Sequence, residues 1–194
     1  AGTTKAGFPV MRWVIGATII GVSLLAMAVM TALGIGRARA GAVLAFESSR
    51  GGNTEVYLLD SASGLLWNAS RSPAYDYAPA WLPDGRLSFA SNRGSNYDIY
   101  VLDLSSGQLA NVTDTPDNEY LPAWSADGRL AFVSSQSGDP EVYVMDMAAG
   151  VSVNISKHFA ADTSPAWSAD GRLAFLSNRS GSLDIYQFDG ETTT

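Results

Sequence analysis

Apolar and polar residues alternate in short runs over most of the chain beyond residue 41. The runs at residues 129–134 and 141–146 show this alternation, with Leu, Val, Phe and Tyr at the apolar positions. Alternation with a period of two predicts β-strands. Between two such runs, Asp127-Gly128 is a hairpin-turn signal, because glycine accepts the positive φ that the turn requires. The pattern therefore predicts antiparallel β-hairpins.

The strand pattern repeats every 43 residues without insertion or deletion. Each unit contains four short strands, which we name A to D in chain order, and four antiparallel strands per ~40–45 residues describe a β-propeller blade. The landmarks are Pro-Ala-Trp in strand A (79–81, 122–124, 165–167), Asp-Gly-Arg in the A–B turn (84–86, 127–129, 170–172), Phe in strand B (Phe46, Phe89, Phe132, Phe175) and Tyr in strand C (Tyr57, Tyr100, Tyr143, Tyr186).

The repeat unit is similar to one known family. Pro-Ala-Trp-Ser-Ala-Asp-Gly-Arg-Leu-Ala-Phe at 122–132, followed by Val-Tyr-Val-Met-Asp at 142–146, closely resembles the TolB-type β-propeller repeat, a relative of the WD repeat. The resemblance covers residues 42–190. It implies a propeller, usually extracytoplasmic, that serves as a docking surface.

The number of strands predicts an incomplete set of blades. The chain contains strands BCD, ABCD, ABCD and ABC, which is fourteen strands or about three and a half blades. Because exposed sheet edges promote aggregation, we expect the edges of the incomplete blades to be paired or covered. Three arrangements are open: a four-bladed ring with two three-stranded blades, an open arc whose edges a partner covers, or a fragment of a longer chain. We favour four small blades around an axis, an all-β fold preceded by one transmembrane helix.

A membrane anchor is predicted before the repeats. Residues 13–36 carry no charge between Arg12 and Arg37, and a helix of that length spans roughly 36 Å, more than the ~30 Å hydrocarbon core. A cleavable signal peptide ending at residues 38–40 is the alternative, but the apolar run exceeds the usual h-region. The predicted organisation is a cytoplasmic tail (1–12), a transmembrane helix (13–36), a linker (37–41), the propeller (42–190) and a C-terminal tail (191–194).

The predicted anchor offers two further expectations. The free α-amine adds to equal basic charge at both ends and favours a cytoplasmic N-terminus, which places the propeller in the periplasm of a bacterial inner-membrane protein. Small residues on one helix face allow another helix to approach closely, so we expect helix–helix docking there. This face consists of Ala17, Gly21, Ala28 and Ala32.

Strand direction predicts a surface for partner binding. If strand A runs downward, the tight A–B and C–D turns lie at the bottom, and the longer B–C and D–A connections gather at the top. Tyr and Arg are frequent interface anchors, and longer loops more often carry function. The candidate partner-binding residues are Arg50, Arg71, Tyr75, Tyr77, Arg93, Tyr97, Glu119, Tyr120, His158 and Phe159.

Composition and charge argue against catalysis. The chain has 12 Lys and Arg against 19 Asp and Glu, no cysteine and one histidine. All the acids lie after residue 40, where the net charge is −11, and this charge disfavours nucleic-acid binding. A single histidine removes most metal and triad chemistry, and no hydrolase, phosphate-binding or zinc-protease motif is present. We therefore expect no catalytic residues, no metal and no cofactor.

Several residues have a structural interpretation beside the functional one. We expect Trp81, Trp124 and Trp167 to pack between blades. Arg50, Arg93 and Arg179 are expected to pair across one hairpin with Glu55, Asp98 and Asp184. Asn68, Asn111 and Asn154 are interpreted as strand positions and not as glycosylation sites. Asp114, Asp117 and Glu119 have oxygen ligands that suit Ca²⁺, but their spacing does not match an EF-hand loop.

These observations favour a non-catalytic, membrane-anchored interaction module in the periplasm. Within that class we expect an accessory or stabilising subunit of a larger membrane complex, of the respiratory or photosynthetic type, whose partners are other membrane or periplasmic proteins. The alternatives are a free-standing envelope receptor for a soluble ligand, and a hydrolase or lyase with its site on the propeller face.

Overall fold

The computed structural model describes residues 42–188, which form fourteen strands and no helix. Sheet 1 contains β1 (Val43–Ser48), β2 (Glu55–Asp60) and β3 (Leu66–Asn68). Sheet 2 contains β4 (Asp76–Trp81), β5 (Leu87–Ser91), β6 (Asp98–Leu102) and β7 (Leu109–Asn111). Sheet 3 contains β8 (Glu119–Trp124), β9 (Leu130–Ser134), β10 (Glu141–Asp146) and β11 (Val151–Asn154). Sheet 4 contains β12 (Asp162–Trp167), β13 (Leu173–Ser177) and β14 (Asp184–Phe188).

The four sheets confirm the strand pattern predicted from the repeat. Neighbouring strands are antiparallel throughout and follow chain order, so sheets 2 and 3 hold strands A to D, sheet 1 holds B to D and sheet 4 holds A to C. At the A–B turn, Gly128 has φ 87°, and its backbone N–H donates to the Ser125 carbonyl over 3.1 Å. A side chain there would be strained, which explains the repeated Asp-Gly signal.

Sheets 2 and 3 each bury one face against the sheet before and the other against the sheet after, whereas sheets 1 and 4 have one such neighbour. Successive residues of a strand point to opposite faces. Leu87 and Phe89 of β5 therefore pack backward on Val56 and Leu58 of β2, and all four are 0% exposed. The same contact recurs at the next two junctions, where Leu130 and Phe132 meet Ala90 and Ile99, and Leu173 and Phe175 meet Ala131 and Val142.

The recurring tryptophan ties consecutive sheets together at the end of strand A. Trp124 of β8 donates its indole N–H to Ser88 Oγ of sheet 2 over 2.8 Å. Trp167 of β12 donates in the same way to the Ala123 carbonyl of sheet 3 over 3.2 Å. Trp81, Trp124 and Trp167 each pack against an inter-sheet core. The predicted role of these residues in packing between blades is confirmed.

The sheets form an open row and not a closed ring. The first strand of each sheet contacts that of the next, in the order β1, β4, β8 and β12, and within residues 42–188 no interface of comparable extent joins sheet 4 to sheet 1. Ile185 of sheet 4 is 75% exposed, whereas Val56, Ile99 and Val142 at the same repeat position are 0% exposed. The ring favoured from the sequence is therefore not formed by these residues, and the propeller is incomplete.

The predicted membrane anchor and its small-residue face lie outside the described residues. No helix long and apolar enough to cross a bilayer is found in the part of the chain that the structure describes.

Candidate functional site

The B–C and D–A connections lie together at one end of the sheets, which we call the loop end. Asn53 of the first B–C loop donates its amide N–H to the Ser72 carbonyl of the next D–A loop over 3.0 Å. Asn96 repeats this contact with the Thr115 carbonyl, also over 3.0 Å, and contacts the Asp117 carbonyl as well. The loops are 49–54, 69–75, 92–97, 112–118, 135–140, 155–161 and 178–183. Side-chain amides thus hold this surface in place.

Each strand D ends with an asparagine whose side chain closes the first turn of the D–A loop. Asn68, Asn111 and Asn154 are the last residues of their strands, as predicted. The side-chain oxygen of each accepts a hydrogen bond from the backbone N–H of the residue three positions later, which closes a local turn. These donors have left-handed backbones and are Arg71 (3.0 Å, φ 45°), Asp114 (3.2 Å, φ 46°) and Lys157 (3.0 Å, φ 43°).

Two buried ion pairs hold strand A to the B–C loop. Arg93 Nη2 lies 3.1 Å from Asp76 Oδ1, and Arg179 Nη2 lies 2.8 Å from Asp162 Oδ2. Both aspartates are 0% exposed. Each arginine also lies over two aromatic rings of its own sheet, at 4.7–5.4 Å from the centroids. Each guanidinium is therefore fixed from several sides.

The expected pairing of these arginines with Asp98 and Asp184 is wrong. The guanidinium groups turn toward strand A, because the first carboxylate of strand C is already engaged by its own sheet or loop. Asp98 accepts from Thr113 Oγ1 over 3.1 Å and from Asn111 Nδ2 over 3.0 Å. Asp184 accepts from Ser182 Oγ over 2.9 Å. Hydrogen bonds to these carboxylates replace the cross-hairpin ion pairs.

In sheet 3, both residues of the ion pair are replaced. Glu119 stands where the other sheets have Asp76 and Asp162, and Gln136 stands where they have arginine. The Glu119 carboxylate accepts from Thr115 Oγ1 over 2.8 Å and from Ser134 Oγ over 2.9 Å. Burial raises the pKa of Glu119, because the charged form loses hydration without gaining a cation. Since Glu119 is 1% exposed, it supports the loop end and does not present a contact surface.

Glu141, the first residue of β10, supports the loop end in a similar way. Glu141 accepts from Ser156 Oγ over 2.6 Å and from the His158 backbone N–H over 3.0 Å. Within residues 42–188, no group of three or more His, Asp or Glu side chains could hold a metal ion. The carboxylates considered for Ca²⁺ therefore do not converge, because Glu119 points to Thr115 and Ser134.

Three predicted tyrosines lie along the inner edge of the loop end. The rings of Tyr77 and Tyr97 meet edge to face with their centroids 5.3 Å apart. Burial raises the pKa of Tyr77, and the nearby Tyr97, Tyr120 and Glu47 add to this rise. Burial also raises the pKa of Tyr120. All three tyrosines are half-buried, so part of each side chain is accessible to solvent.

The most exposed aromatic residues stand on the D–A loops. Tyr75 is 53% exposed and Phe159 is 83% exposed, with the Phe159 ring 4.2 Å from that of His158. His158 Nδ1 accepts the Ala160 N–H over 3.0 Å, which is the bond that Ser72 Oγ makes with Ala74 in the first D–A loop. His158 is therefore a turn residue, and Phe159 projects from a turn that hydrogen bonds fix.

The arginines of the predicted surface differ in their freedom. Arg71 is exposed and donates to the Asn68 carbonyl over 3.1 Å, whereas Arg93 is held in its ion pair. Arg50 is exposed and lies over the rings of Phe46 and Tyr57 at 5.5 and 4.8 Å.

Near Tyr75 and Arg93, a shallow open depression of about 510 Å³ is lined by Ser72, Pro73, Ala74, Tyr75, Asn92 and Arg93.

Three buried carboxylates position the loop end, and the predicted partner-binding residues included Glu119 but not Asp162. Asp76 and Asp162 recur one repeat apart from Glu119 at the start of strand A, each opposite a serine in strand B. An acid at the same position of three repeats is a signal that the sequence contains. The partners of these acids lie on strand B or the loop after it, and not within the hairpin of strands B and C.

The fold and its loop end define an incomplete β-propeller whose antiparallel blades have three or four strands. Residues 96–194 match the TolB beta propeller domain family. The chain belongs to this family. No curated protein sequence matches the chain.

Solved structures of similar fold include TolB proteins. TolB from Acinetobacter baumannii is 25% identical, with a TM-score of 0.72 over 88% of this chain and 45% of that chain. The TolB candidate from Agrobacterium tumefaciens is 23% identical, with a TM-score of 0.69 over 79% of this chain and 60% of that chain. A puromycin-hydrolyzing peptidase from Mycobacterium tuberculosis is 16% identical, with a TM-score of 0.61 over 73% of this chain and 24% of that chain. The chain thus spans about half the length of the TolB structures.

Proposed function

We propose that this chain is a non-catalytic interaction module whose loop end binds a protein partner. The observation that carries the proposal is the contrast within the D–A loops. Hydrogen bonds fix the backbone of these loops at Ser72 and Ala160, while Tyr75 and Phe159 project from them with 53% and 83% exposure. Large aromatic side chains on a rigid support lose little entropy on binding and are frequent interface anchors.

The engagement of the loop-end acids supports a non-catalytic role. Asp76, Asp162 and Glu141 are each occupied by an arginine, a hydroxyl or a backbone N–H. General acid–base chemistry requires a carboxylate or imidazole within reach of a substrate proton, and these carboxylates are buried. The peptidase of similar fold shares 16% identity over 24% of its length, so its likeness supports the fold alone.

The proposed location rests on the sequence. An uncharged stretch at 13–36 is long enough to span a bilayer, and its small-residue face suits a neighbouring helix. The proposed protein is a single-pass inner-membrane subunit with a cytoplasmic N-terminus and a periplasmic propeller. It would stabilise a larger complex, of the respiratory or photosynthetic type, without a cofactor of its own.

The test is native mass spectrometry of complexes extracted from the native membrane in mild detergent, with two matched variants. Phe159→Ser removes the most exposed loop-end aromatic, and Leu65→Ser removes a 61% exposed apolar residue from the C–D turn at the opposite end. We expect the unchanged chain and Leu65→Ser to carry partners in fixed stoichiometry. Phe159→Ser should lose the protein partner that binds the loop end. A free monomer, or equal loss from both variants, would contradict the proposal.

A further inference from the structure

Arg50, which follows β1, is held like the arginines of the two buried ion pairs but has no carboxylate partner among the described residues. Arg50 donates its backbone N–H and its Nε to Ser48 Oγ, over 3.4 and 2.9 Å. Arg93 makes the same two bonds to Ser91, over 3.3 and 2.8 Å. Arg179 makes them to Ser177, over 3.2 and 2.9 Å. The three guanidinium groups are therefore held alike.

The three arginines differ in what they face. In sheets 2 and 4 the guanidinium meets Asp76 or Asp162, the first residue of strand A, which lies opposite the serine in the β-ladder. Among residues 42–188, no strand is paired with the edge of β1 that lies away from β2, and none of the ion pairs includes Arg50. Glu55, which lies five residues after Arg50, accepts hydrogen bonds from Asn68, Ser70 and Ser72 instead.

Residues 1–41 contain no Asp or Glu, so a carboxylate for Arg50 does not come from them. An exposed strand edge binds extended peptides through main-chain hydrogen bonds, and side-chain pockets then set the register. Arg50 and Ser48 form such a register pocket for a carboxylate, because Arg presents several donors in a fixed fork.

We propose that the β1 edge accepts a β-strand from a partner protein, antiparallel to β1, with an aspartate at its first position facing Arg50 and Ser48. This inference concerns a different surface from Tyr75 and Phe159 and does not depend on partner binding at those residues. By analogy with β4, β8 and β12, the incoming strand is about six residues long. It completes sheet 1 as strand A completes sheets 2 and 3.

The test measures binding of a labelled peptide to the full chain in detergent by fluorescence anisotropy. The probe is Ala-Tyr-Asp-Tyr-Ala-Pro-Ala-Trp-Leu, which copies residues 74–82 and so includes β4, and the matched probe has Asn in place of Asp. We expect the Asp peptide to bind the chain about tenfold or more tightly than the Asn peptide, since one charge-assisted hydrogen-bonded pair is lost. Arg50→Gln should weaken the Asp peptide by a similar factor and leave the Asn peptide nearly unchanged, as a direct pair requires.

Two control variants separate this proposal from its alternatives. Arg71→Gln, at another exposed arginine, and Phe159→Ser should both bind the Asp peptide normally, so the test is independent of the loop-end partner. No binding, or equal binding to Arg50→Gln, would overturn the proposal. The pair Asp189→Asn and Glu191→Gln tests the acids of the chain's own last residues. Tighter peptide binding by that double variant would assign the edge to the chain itself and overturn the partner strand.

Discussion

In sheets 2 and 4, Arg–Asp pairs lie at both ends of strand A, but in different environments. At the loop end, Arg93–Asp76 and Arg179–Asp162 have nitrogen–oxygen distances of 3.1 and 2.8 Å, with both aspartates 0% exposed. At the opposite end, the A–B turns hold pairs at 2.7–3.0 Å whose aspartates are 51–62% exposed. These turn pairs are Arg86–Asp84, Arg129–Asp127 and Arg172–Asp170.

The comparison shows that distance alone does not rank these pairs. An exposed pair gains little, because water and salt screen the attraction and two long side chains lose freedom. A buried carboxylate has already lost its hydration, so removal of its partner leaves that cost uncompensated. The loop end is therefore expected to depend strongly on its arginines, whereas the turn end depends on the glycine and the tryptophan.

The largest expected effect comes from Arg93→Gln. This variant leaves the buried Asp76 carboxylate without its cation and should lower the free energy of unfolding by about 3–5 kcal/mol. The measurement is urea or thermal unfolding of the purified chain. Arg86→Gln is the matched control at the turn end, where both side chains are about half exposed, and it should cost about 0.5 kcal/mol or less. Equal losses in the two variants would refute the comparison.

A second prediction concerns the tryptophan at the turn end. Trp124→Ala removes a half-buried ring from the core between sheets 2 and 3, so the stability should fall by about 3 kcal/mol. Trp124→Phe keeps most of the ring but loses the hydrogen bond to Ser88 Oγ, and should cost about 1 kcal/mol. If both variants melted like the unchanged chain, strand A would not depend on this contact between sheets.

A third prediction sharpens the contrast between equivalent arginines. Arg50→Gln should cost about 1 kcal/mol or less, because Arg50 stacks on Phe46 and Tyr57 but faces no carboxylate in the described residues. Parallel unfolding curves of Arg50→Gln and Arg93→Gln check this difference. A loss of several kcal/mol in Arg50→Gln would mean that a carboxylate already occupies this site in the isolated chain.

The repeat predicted most of the fold, because its signals are local. Alternation defined the strands, and the Asp-Gly signal at Asp127-Gly128 specified a turn whose glycine has φ 87°. Ring closure could not be predicted in this way, because it depends on the angle between whole sheets. Ile185 and Val142 occupy the same repeat position, but only Val142 has a following sheet to cover it.

The candidate site was predicted less completely than the fold. The prediction that the B–C and D–A loops lie at one end is correct, because consecutive antiparallel strands run in opposite directions. The partners of Arg93 and Arg179 were assigned to the nearer hairpin, but the side chains turn to Asp76 and Asp162, 17 residues earlier in the chain. The direction of a long side chain depends on the rings beneath it, which the spacing of charged residues does not reveal.

The smallest expected effect is a pH dependence at the turn end. Asp103 opens the C–D turn and accepts from Ser105 Oγ over 2.6 Å and from the Ser105 N–H over 2.8 Å. These hydrogen bonds to the charged form lower the pKa of Asp103 from 3.8 to about 2. Because the folded state holds the lower pKa, the stabilisation is complete above about pH 4 and is lost as the pH falls through 2.

Asp103→Asn tests this dependence, because the amide oxygen can still accept the backbone N–H but does not titrate. The difference in urea midpoint between the unchanged chain and Asp103→Asn should be constant from pH 6 to 8 and shrink between pH 4 and pH 2. A difference that stays constant down to pH 2 would show that the carboxylate charge contributes nothing to the turn. Either way, the change should remain well below that of Arg93→Gln, because Asp103 is surrounded by water and Asp76 is not.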